Sequence, residues 1–343
     1  MDKKILFPPE WYPQSAVQLT WPNEDTDWWL ILDDVKSVYK ELAYEIVRYE
    51  KLIIVCNDEA EVRRQLDSID FDKVIFRTMD YNDTWARDHA GITVFVNGKP
   101  VIYDFVFNGW GMKFPANLDN QITRKLAAAK TFKKGVEVVN MQPFVLEGGS
   151  IESDGKGTLM TTVECLSSVN RNEYLNKEQL EYHLKDFFGV ERILWLESGY
   201  LQGDDTDSHI DTLARFCDEH TIAYVKCTDE ADEHYEELKA MEEELKTFQT
   251  LDGKPYKLIP LPMADEIFDE EEEIQLPATY ANFLIINGAV IVPFYNSPKD
   301  KMAEDILQKV FPDRKIIGID CNALLKQHGS LHCITMQYPK GVV

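Results

Sequence analysis

The segment HGSLHCITMQ, residues 328–337, contains the residue with the clearest potential for covalent chemistry. Cys333 follows a glycine turn and precedes Ile334 and Thr335. A cysteine thiolate is a strong nucleophile, but it needs a base, an acid and groups that fix the substrate. The chain has six cysteines, and cysteines of this kind are most often small buried hydrophobic residues. Cys333 is therefore a catalytic candidate only if other segments supply its partners.

The base for Cys333 is expected to come from elsewhere in the chain. If residues 331–334 are extended, the side chains of His332 and Cys333 point to opposite faces, which makes His332 a poor base for its neighbour. In His209-Ile210-Asp211, a strand would place His209 and Asp211 on one face and Ile210 in the core. A histidine and a carboxylate that face one cavity can form an acid–base pair. For the tripeptide alone, a structural histidine beside a surface aspartate is the simpler reading.

A second carboxylate, Asp88, lies in a polar and aromatic loop at residues 78–91. A buried carboxylate requires a partner, which could be a cationic ligand or a neighbouring arginine. Trp85 in the same loop and Trp110 in a later one could stack on a planar cation. Two tryptophans in polar loops are also what an aromatic-rich surface gives by chance.

Glu147 precedes two glycines, Gly148 and Gly149. Glycines permit a close approach of the backbone or a positive φ angle. Glu147 could therefore orient an imidazole, as the third group of a nucleophile–base arrangement does. An ordinary turn or bulge is the alternative.

The composition of the 343-residue chain limits the classes of function that it can have. A hydrophobic share of 44% indicates a globular protein, and the net charge of −24 argues against nucleic acid as a partner. No apolar run reaches the length of a membrane span, and the first residues lack the apolar stretch of a signal peptide. The cysteines are scattered without a CxxC motif, and the histidines neither cluster nor form HExxH, so no metal site is expected. The cysteines are expected to be free thiols in the cytoplasm. No phosphate-binding glycine motif is present, so no nucleotide cofactor is expected.

Hydrophobic periodicity predicts an α/β fold. It indicates an amphipathic helix at 28–49, a buried strand at 51–56, and hairpins at 92–107 and 282–294. Capped helices are predicted at 176–188 and 297–311, and a strand at 210–217. Strand pairs alternate with single helices about every 60–70 residues, which is the period scale of repeat architectures. No linker divides the chain.

Five segments in chain order resemble one known family. They are NDTWARD (82–88), EGGSIESDGKGT (147–158), GDDTDSHIDTLARF (203–216), NFLIINGAVIVP (282–293) and HGSLHCITMQ (328–337). Together they resemble the agmatine deiminases of the guanidine-modifying superfamily, which are also known as bacterial peptidyl-arginine deiminase-like proteins. The resemblance extends over residues 11–339.

This resemblance implies a fold and an activity. The fold would be a five-bladed α/β-propeller (pentein) of ββαβ modules, with pseudo-fivefold symmetry around a central active site and one domain over residues 1–343. The activity would be hydrolysis of agmatine to N-carbamoylputrescine and ammonia in putrescine biosynthesis, with no cofactor and no metal. The expected partner is a small cationic guanidine, with no nucleic acid and no membrane. A homodimer is compatible with the sequence, which does not determine the oligomeric state.

The resemblance also assigns roles. Cys333 would be the nucleophile, His209 the acid and base, and Glu147 the partner that orients His209. Asp88 and Asp211 would hold the guanidinium nitrogens. The thiolate would form a thiouronium intermediate as ammonia leaves, and water activated by His209 would then release a urea product.

Four positions depart from the family pattern, and all are expected at the pocket rim: Glu152, Ser208, His328 and Ser330. Asp204 and Asp205 could meet a distal amine, and the motif loops contain few basic residues apart from Arg87, which favours agmatine over arginine. Deimination of peptidyl-arginine or of free arginine is the alternative. A third possibility, from a different class, is an acidic propeller-like binding protein without turnover. In such a protein Cys333 would be no more reactive than Cys56 or Cys321.

Overall fold

The computed structural model describes residues 3–269 and 274–343 as an α/β fold. The strands of this part of the chain are β1 (Ile5–Leu6), β2 (Gln14–Thr20), β3 (Lys51–Cys56), β4 (Val74–Thr78), β5 (Ile92–Val96), β6 (Lys99–Val106), β7 (Glu137–Val145), β8 (Ile151–Ser153), β9 (Thr158–Thr162), β10 (Arg192–Leu196), β11 (Ala214–Asp218), β12 (Thr221–Lys226), β13 (Lys257–Pro262), β14 (Leu284–Ile286), β15 (Ala289–Phe294), β16 (Lys315–Asp320) and β17 (Thr335–Pro339).

The helices lie between these strands. They are α1 (Leu32–Tyr49), α2 (Glu59–Gln65), α3 (Ala86–His89), α4 (Gly109–Met112), α5 (Ile122–Ala128), α6 (Val163–Leu166), α7 (Lys177–Phe188), α8 (Ile210–Leu213), α9 (Tyr235–Thr247), α10 (Pro298–Val310) and α11 (Asn322–Leu325), with 3₁₀ turns at Phe71–Lys73, Asp119–Gln121 and Gly148–Ser150. None of the described helices has the length and apolar character that crossing a membrane requires.

The described strands form five sheets of three or four strands. Their orders are β1-β5-β6-β7, β10-β9-β8, β11-β12-β13, β14-β15-β16 and β17-β2-β3-β4. Each sheet contains an antiparallel pair followed by a parallel one, for example β11 with β12 and then β12 with β13. A helix lies on each parallel crossover, as α9 does between β12 and β13. The predicted alternation of strand pairs and helices is therefore present in the structure.

One sheet joins the two ends of the chain. β17 pairs antiparallel with β2, with Thr335 opposite Leu19, and β2 continues parallel to β3. The backbone N–H of Arg87 in α3 donates to the carbonyl of Cys333 at 3.0 Å. The sheet and this bond hold the cysteine turn against both the N-terminal strand and the loop that carries Asp88.

Local sequence patterns predicted the first hairpin and most of the first long helix. The hairpin of β5 and β6 turns at Asn97 and Gly98, both with positive φ. The helix expected at 28–49 begins later, at Leu32, because residues 26–31 form turns in which Ile31 N–H donates to the Trp28 carbonyl. The side chain of Trp28 is buried and donates to Thr84.

The cap of α10 gives a stability prediction. Ser297 Oγ accepts from Lys299 N–H at 3.0 Å, and Asp300 accepts from Ser297 N–H at 3.1 Å. Ser297→Ala removes the cap and should lower the free energy of unfolding by about 1 kcal/mol in urea titrations. Ser37→Ala is the matched control, because Ser37 is exposed within α1 and its hydroxyl donates to the Asp33 carbonyl of its own helix. Equal effects of the two substitutions would contradict the prediction.

Candidate active site

Three candidate side chains converge on Gly149. A Cβ atom built on this glycine would lie 2.7 Å from His209 Nδ1, 2.8 Å from Asp88 Oδ1 and 3.1 Å from Asp211 Oδ2. The Gly149 N–H also donates to Asp88 Oδ1 at 2.9 Å. A side chain at residue 149 would displace these groups, so the close backbone approach expected from the glycine pair is present at Gly149.

Cys333 lies at the same centre. Its Sγ is 3.4 Å from Asn282 Oδ1 and 3.9 Å from Asp211 Oδ2, and the side chain is almost fully buried. Residues 331–334 form turns, so the extended conformation assumed for His332 and Cys333 is wrong. The His332 ring contacts Asp211 and Glu10.

His209 precedes a helical turn instead of beginning a strand. The expected strand at 210–217 is wrong for its first half, since Ile210–Leu213 form α8 and β11 begins at Ala214. Asp207 and Ser208 have left-handed φ angles of 64° and 61°, which redirect the chain before His209. His209 and Asp211 still face one centre, but they do so across a turn.

The surroundings of His209 are two carboxylates and a thiol. Its Nδ1 is 3.7 Å from Asp88 Oδ1 and its Nε2 is 3.9 Å from Glu147 Oε2. Neither ring nitrogen has a hydrogen-bond partner among the described residues, although the ring is buried. Burial opposes protonation, but Asp88, the adjacent Cys165 and Glu147 outweigh it and raise the pKa of His209 to about 10.

Glu147 is held by an arginine that the sequence did not reveal. Arg171 Nε donates to the two Glu147 carboxylate oxygens at 3.1 and 2.9 Å, and both side chains are fully buried. Arg171 also donates to Asp207 Oδ2 at 2.5 Å and to the Thr206 carbonyl at 2.8 Å. This ion pair therefore connects the loop of Glu147 to the loop of His209.

The two tryptophans line the site. Trp110 Nε1 donates to Asp88 Oδ2 at 2.9 Å, from a backbone with a left-handed φ of 53°. Trp85 Nε1 donates to Asp83 Oδ2 at 3.1 Å, and the two indoles meet edge to face. Both side chains are buried. They are therefore fixed walls of the site and not scattered surface aromatics.

Cys333, Asp88 and the two tryptophans line a cavity of about 250 Å³, and His209, Asp211 and Glu147 lie behind that lining. Its lining consists of aspartates, aromatic residues and the cysteine turn: Asp27, Asp83, Trp85, Asp88, Trp110, Phe114, Asp204, Asp205, Thr206, Thr212, Lys326, Gln327, His328, Gly329 and Cys333. Five aspartates face two basic side chains there, so the cavity favours a cation. Arg87, expected near the motif loops, is instead buried 3.8 Å from Glu10 and is absent from this lining.

The pKa shifts of the groups at this centre indicate a site that favours a positively charged ligand. Burial, with Asp211 and Asp88 nearby, raises the pKa of the Cys333 thiol well above its usual range. Burial also raises the pKa of Asp88 to about 6, against the effect of His209. For Asp211, burial is outweighed by His332, His209 and Arg215, which lower its pKa.

The sequence patterns did not indicate a role for Asn282, although it is the first residue of the motif at 282–293. Its Oδ1 accepts from His332 N–H at 2.8 Å and lies 3.4 Å from Cys333 Sγ, and its Nδ2 donates to the Asp211 carbonyl at 3.3 Å. The polar residue at the start of NFLIINGAVIVP was the available signal. Asn282 thus ties the cysteine turn to the turn of Asp211.

Of the four positions that depart from the family pattern, His328 lines the cavity. Its Nδ1 is 2.7 Å from the Gly203 carbonyl oxygen and its Nε2 is 4.0 Å from Asp205 Oδ2. Glu152 forms a buried ion pair with Arg215, Ser208 contacts Glu164, and Ser330 contacts Tyr295. The expectation that these three lie at the rim is wrong, because their side chains contact neighbouring residues away from the cavity lining.

Two groups of described side chains bring potential metal ligands within 4.8 Å of one another: Glu147, Cys165 and His209, and Glu10, Glu152 and His332. Glu147 already binds Arg171, and both glutamates of the second group bind Arg215. A metal ion would have to compete with these guanidinium groups, so the donor sets fit ion pairing better than metal coordination.

Comparisons with known proteins identify the family of this chain. A family model described as Porphyromonas-type peptidyl-arginine deiminase matches residues 6–339. The agmatine deiminase of Pseudomonas syringae pv. tomato is 32% identical, with 97% of this chain and 95% of that protein covered. A crystal structure from Porphyromonas gingivalis, provisionally described as an arginine deiminase, is 54% identical with a TM-score of 0.96, covering 99% of this chain and all of that chain. A cysteine-to-serine variant of C. jejuni agmatine deiminase with substrate bound is 41% identical with a TM-score of 0.93, covering 100% and 98%.

The raised pKa of Cys333 gives a reactivity prediction. At pH 7 the thiol is protonated in the empty site, so neutral iodoacetamide should label Cys333 slowly, and the rate should keep rising beyond the usual thiol pKa of about 8.5. A cationic haloacetamidine supplies the missing positive charge and should label Cys333 faster at pH 7. Peptide mapping by mass spectrometry measures both rates, with Cys56 and Cys321 as internal controls. A rate that levels off below pH 8, or equal labelling of the three cysteines, would contradict this account.

Proposed function

The chain belongs to the Porphyromonas-type peptidyl-arginine deiminase family, and we propose that it hydrolyses agmatine to N-carbamoylputrescine and ammonia. The observation that carries the proposal is the convergence of Cys333, His209, Asp88 and Asp211 around Gly149. A nucleophile, an imidazolium and two carboxylates at one end of an acidic cavity are the groups that guanidinium hydrolysis requires. The agmatine deiminases among its relatives support the same activity.

Asp88 and Asp211 bind the guanidinium in this proposal. Both carboxylates are buried, and Asp211 Oδ1 has no hydrogen-bond partner among the described residues. A guanidinium is planar and donates along its edges, so carboxylates on two edges fix its plane and neutralise its charge. The indoles of Trp85 and Trp110 limit the space beside that plane.

The bound cation also activates the nucleophile. Burial, with the negative charges of Asp211 and Asp88, holds Cys333 in its thiol form, and a guanidinium between the two carboxylates offsets their charges. Cys333 then loses its proton to solvent, and Sγ attacks the central guanidinium carbon. His209, with a pKa of about 10, carries the proton that the leaving nitrogen needs.

The reaction proceeds through two tetrahedral adducts. In the first, His209 protonates the leaving nitrogen, the C–N bond breaks, and ammonia departs from an S-alkylthiouronium. The neutral His209 then takes a proton from water, and the resulting hydroxide attacks the same carbon. The C–S bond breaks, the hydroxyl proton of the adduct passes to the departing sulfur, and the products are a neutral urea and the Cys333 thiol. Glu147, held by Arg171, keeps His209 oriented in both steps.

The charge of the cavity favours agmatine over arginine. Asp27, Asp83, Asp204 and Asp205 surround the part of the cavity beyond the reacting groups, where His328 and Lys326 are the basic members of the described lining. A distal ammonium would be attracted there, whereas the α-carboxylate of arginine would be repelled. Burial raises the pKa of Asp83 to about 7, so this carboxyl ionises more fully when an ammonium approaches. The provisional description of the P. gingivalis relative makes free arginine the second candidate.

The fold and location belong to the same proposal. We propose that the five sheets are the blades of one five-bladed α/β-propeller domain, whose ββαβ modules surround the cavity. The six cysteines are free and buried, which supports a reducing compartment such as the cytoplasm.

The activity is tested by incubating the purified protein with agmatine, arginine and a blocked arginine, and measuring ureido product and ammonia. Agmatine should have the highest kcat/KM. Cys333→Ala should abolish turnover, because it removes the thiol that forms the covalent intermediate. Cys321→Ala, at a buried cysteine outside the cavity, should retain activity. A folded wild-type protein that makes no product from agmatine would refute the proposal.

The distal subsite gives a separate prediction. Asp205 is 44% exposed in its side chain and lines the cavity, so an ammonium would form a partly screened pair with it. Asp205→Asn should raise KM for agmatine about two- to fivefold with little change in kcat, the range expected for an exposed ion pair. Asp186→Asn, at an exposed position of α7, is the matched control. An unchanged KM would exclude Asp205 from the subsite.

A further inference from the structure

A second group of buried charges adjoins the candidate site. It comprises Glu10, Arg87, Glu152, Arg215 and His332, all nearly inaccessible to solvent. Glu10 Oε2 accepts from Arg215 Nη2 at 2.9 Å, and Arg215 Nε pairs with Glu152. Arg87 Nη2 lies 3.8 Å from the same Glu10 oxygen. This cluster contacts the active centre through His332.

The geometry around His332 determines its protonation. Nδ1 lies 2.7 Å from Asp211 Oδ2, and Nε2 lies 2.6 Å from Glu10 Oε2. An ionised carboxylate can only accept a hydrogen bond, so we infer from these two distances that each ring nitrogen donates and that His332 is an imidazolium. The carboxylates are ionised: for Glu10, as for Asp211, burial is outweighed by His332 and Arg215, which hold its pKa well below its usual range.

The charge balance of the cluster agrees with this assignment. Three carboxylates (Glu10, Glu152 and Asp211) face three cations (Arg87, Arg215 and the imidazolium of His332). Arg215 Nη2 lies 3.0 Å from His332 Nε2, which is a contact between two donors that share Glu10 Oε2 as acceptor. A neutral His332 would leave one carboxylate in excess in a buried cluster, which is costly.

We propose that Glu10 and His332 are positioning residues for the guanidinium-binding carboxylate. Glu10 is fixed by its second oxygen, which accepts from Ile285 N–H at 2.6 Å. Glu10 holds the imidazolium, and the imidazolium holds Asp211 Oδ2. Asp211 Oδ1 is the oxygen left for the substrate, and it has no other partner among the described residues. This inference rests on the proposed function, because it assigns the orientation of a substrate-binding group to residue 10, which reaches Asp211 through His332.

A double-mutant cycle on agmatine binding tests the coupling. Calorimetry in a Cys333→Ser background, where turnover is blocked, compares Glu10→Gln, Asp211→Asn and the double substitution. Glu10→Gln should weaken agmatine binding about tenfold alone, and should add little once Asp211→Asn is present, since its effect passes through Asp211. A structural role without this coupling would give additive losses, which would overturn the inference.

The matched control is Glu50→Gln. Glu50 is also buried and bonds Asn287, and burial raises its pKa to about 8, so the amide replaces a carboxyl that is largely neutral at pH 7. This variant should bind agmatine as the Cys333→Ser parent does. A loss equal to that of Glu10→Gln would show that the effect comes from any buried glutamate, and would also overturn the inference.

Neutron diffraction from crystals of the wild-type protein provides a readout that needs no variant and no substrate. Deuterons on both ring nitrogens of His332 are expected, and a single deuteron would overturn the proposal even if every binding result agreed. If agmatine does not bind the Cys333→Ser protein while both deuterons are present, the proposed substrate is wrong and the imidazolium assignment stands.

Discussion

The removal of carboxylates from water is the constraint on which the centre of this protein depends. A buried carboxylate without a partner is costly, so each must meet a cation or several donors. Glu147 meets Arg171, Glu10 and Glu152 meet Arg215, and one oxygen of Asp211 meets His332. Around the cavity this compensation is incomplete, because Asp211 Oδ1 has no described partner and Asp88 accepts from two neutral donors, Gly149 N–H and Trp110 Nε1, with the His209 ring 3.7 Å away. The fold leaves negative charge uncompensated at this point, and a guanidinium supplies the positive charge that compensates it.

The same incomplete compensation controls the nucleophile. Burial, with Asp211 and Asp88, raises the pKa of Cys333, and Asp88, Cys165 and Glu147 raise that of His209 against the effect of burial. The empty site therefore contains a protonated thiol beside an imidazolium, which is the pair with the lower reactivity toward electrophiles. A cationic substrate offsets the negative charge beside the thiol. Binding and activation of the thiol are thus two effects of one set of carboxylates.

Backbone geometry makes this concentration of charge possible. Because Gly149 has no Cβ atom, the side chains of His209, Asp88 and Asp211 can pack directly against its backbone. Its N–H also donates a hydrogen bond to Asp88. Left-handed residues at Asp207 and Ser208 turn the chain into His209. The parallel and antiparallel pairs of the five sheets bring these loops together from segments separated by more than 200 residues of sequence.

The sequence by itself determined those features whose physical cause is local. Apolar spacing predicted most of α1, Asn97-Gly98 predicted a hairpin, and Asn176 with Gly189 predicted the ends of α7. The ordered motifs identified the family and brought forward Cys333, His209, Glu147, Asp88 and Asp211, which the structure places at one centre. Their roles as nucleophile, acid–base, orienting and binding groups stay predictions.

The tertiary structure alone decided the charge pairs. Strand alternation misplaced His332, because residues 331–334 turn instead of extending, and it could not connect His332 to Glu10, which is 322 positions away. It likewise could not connect Arg171 to Glu147 or place Arg87 in the buried cluster. Local sequence patterns report backbone preference and burial of apolar faces. Which cation neutralises a buried carboxylate depends on packing between distant segments, and no short stretch of sequence contains that information.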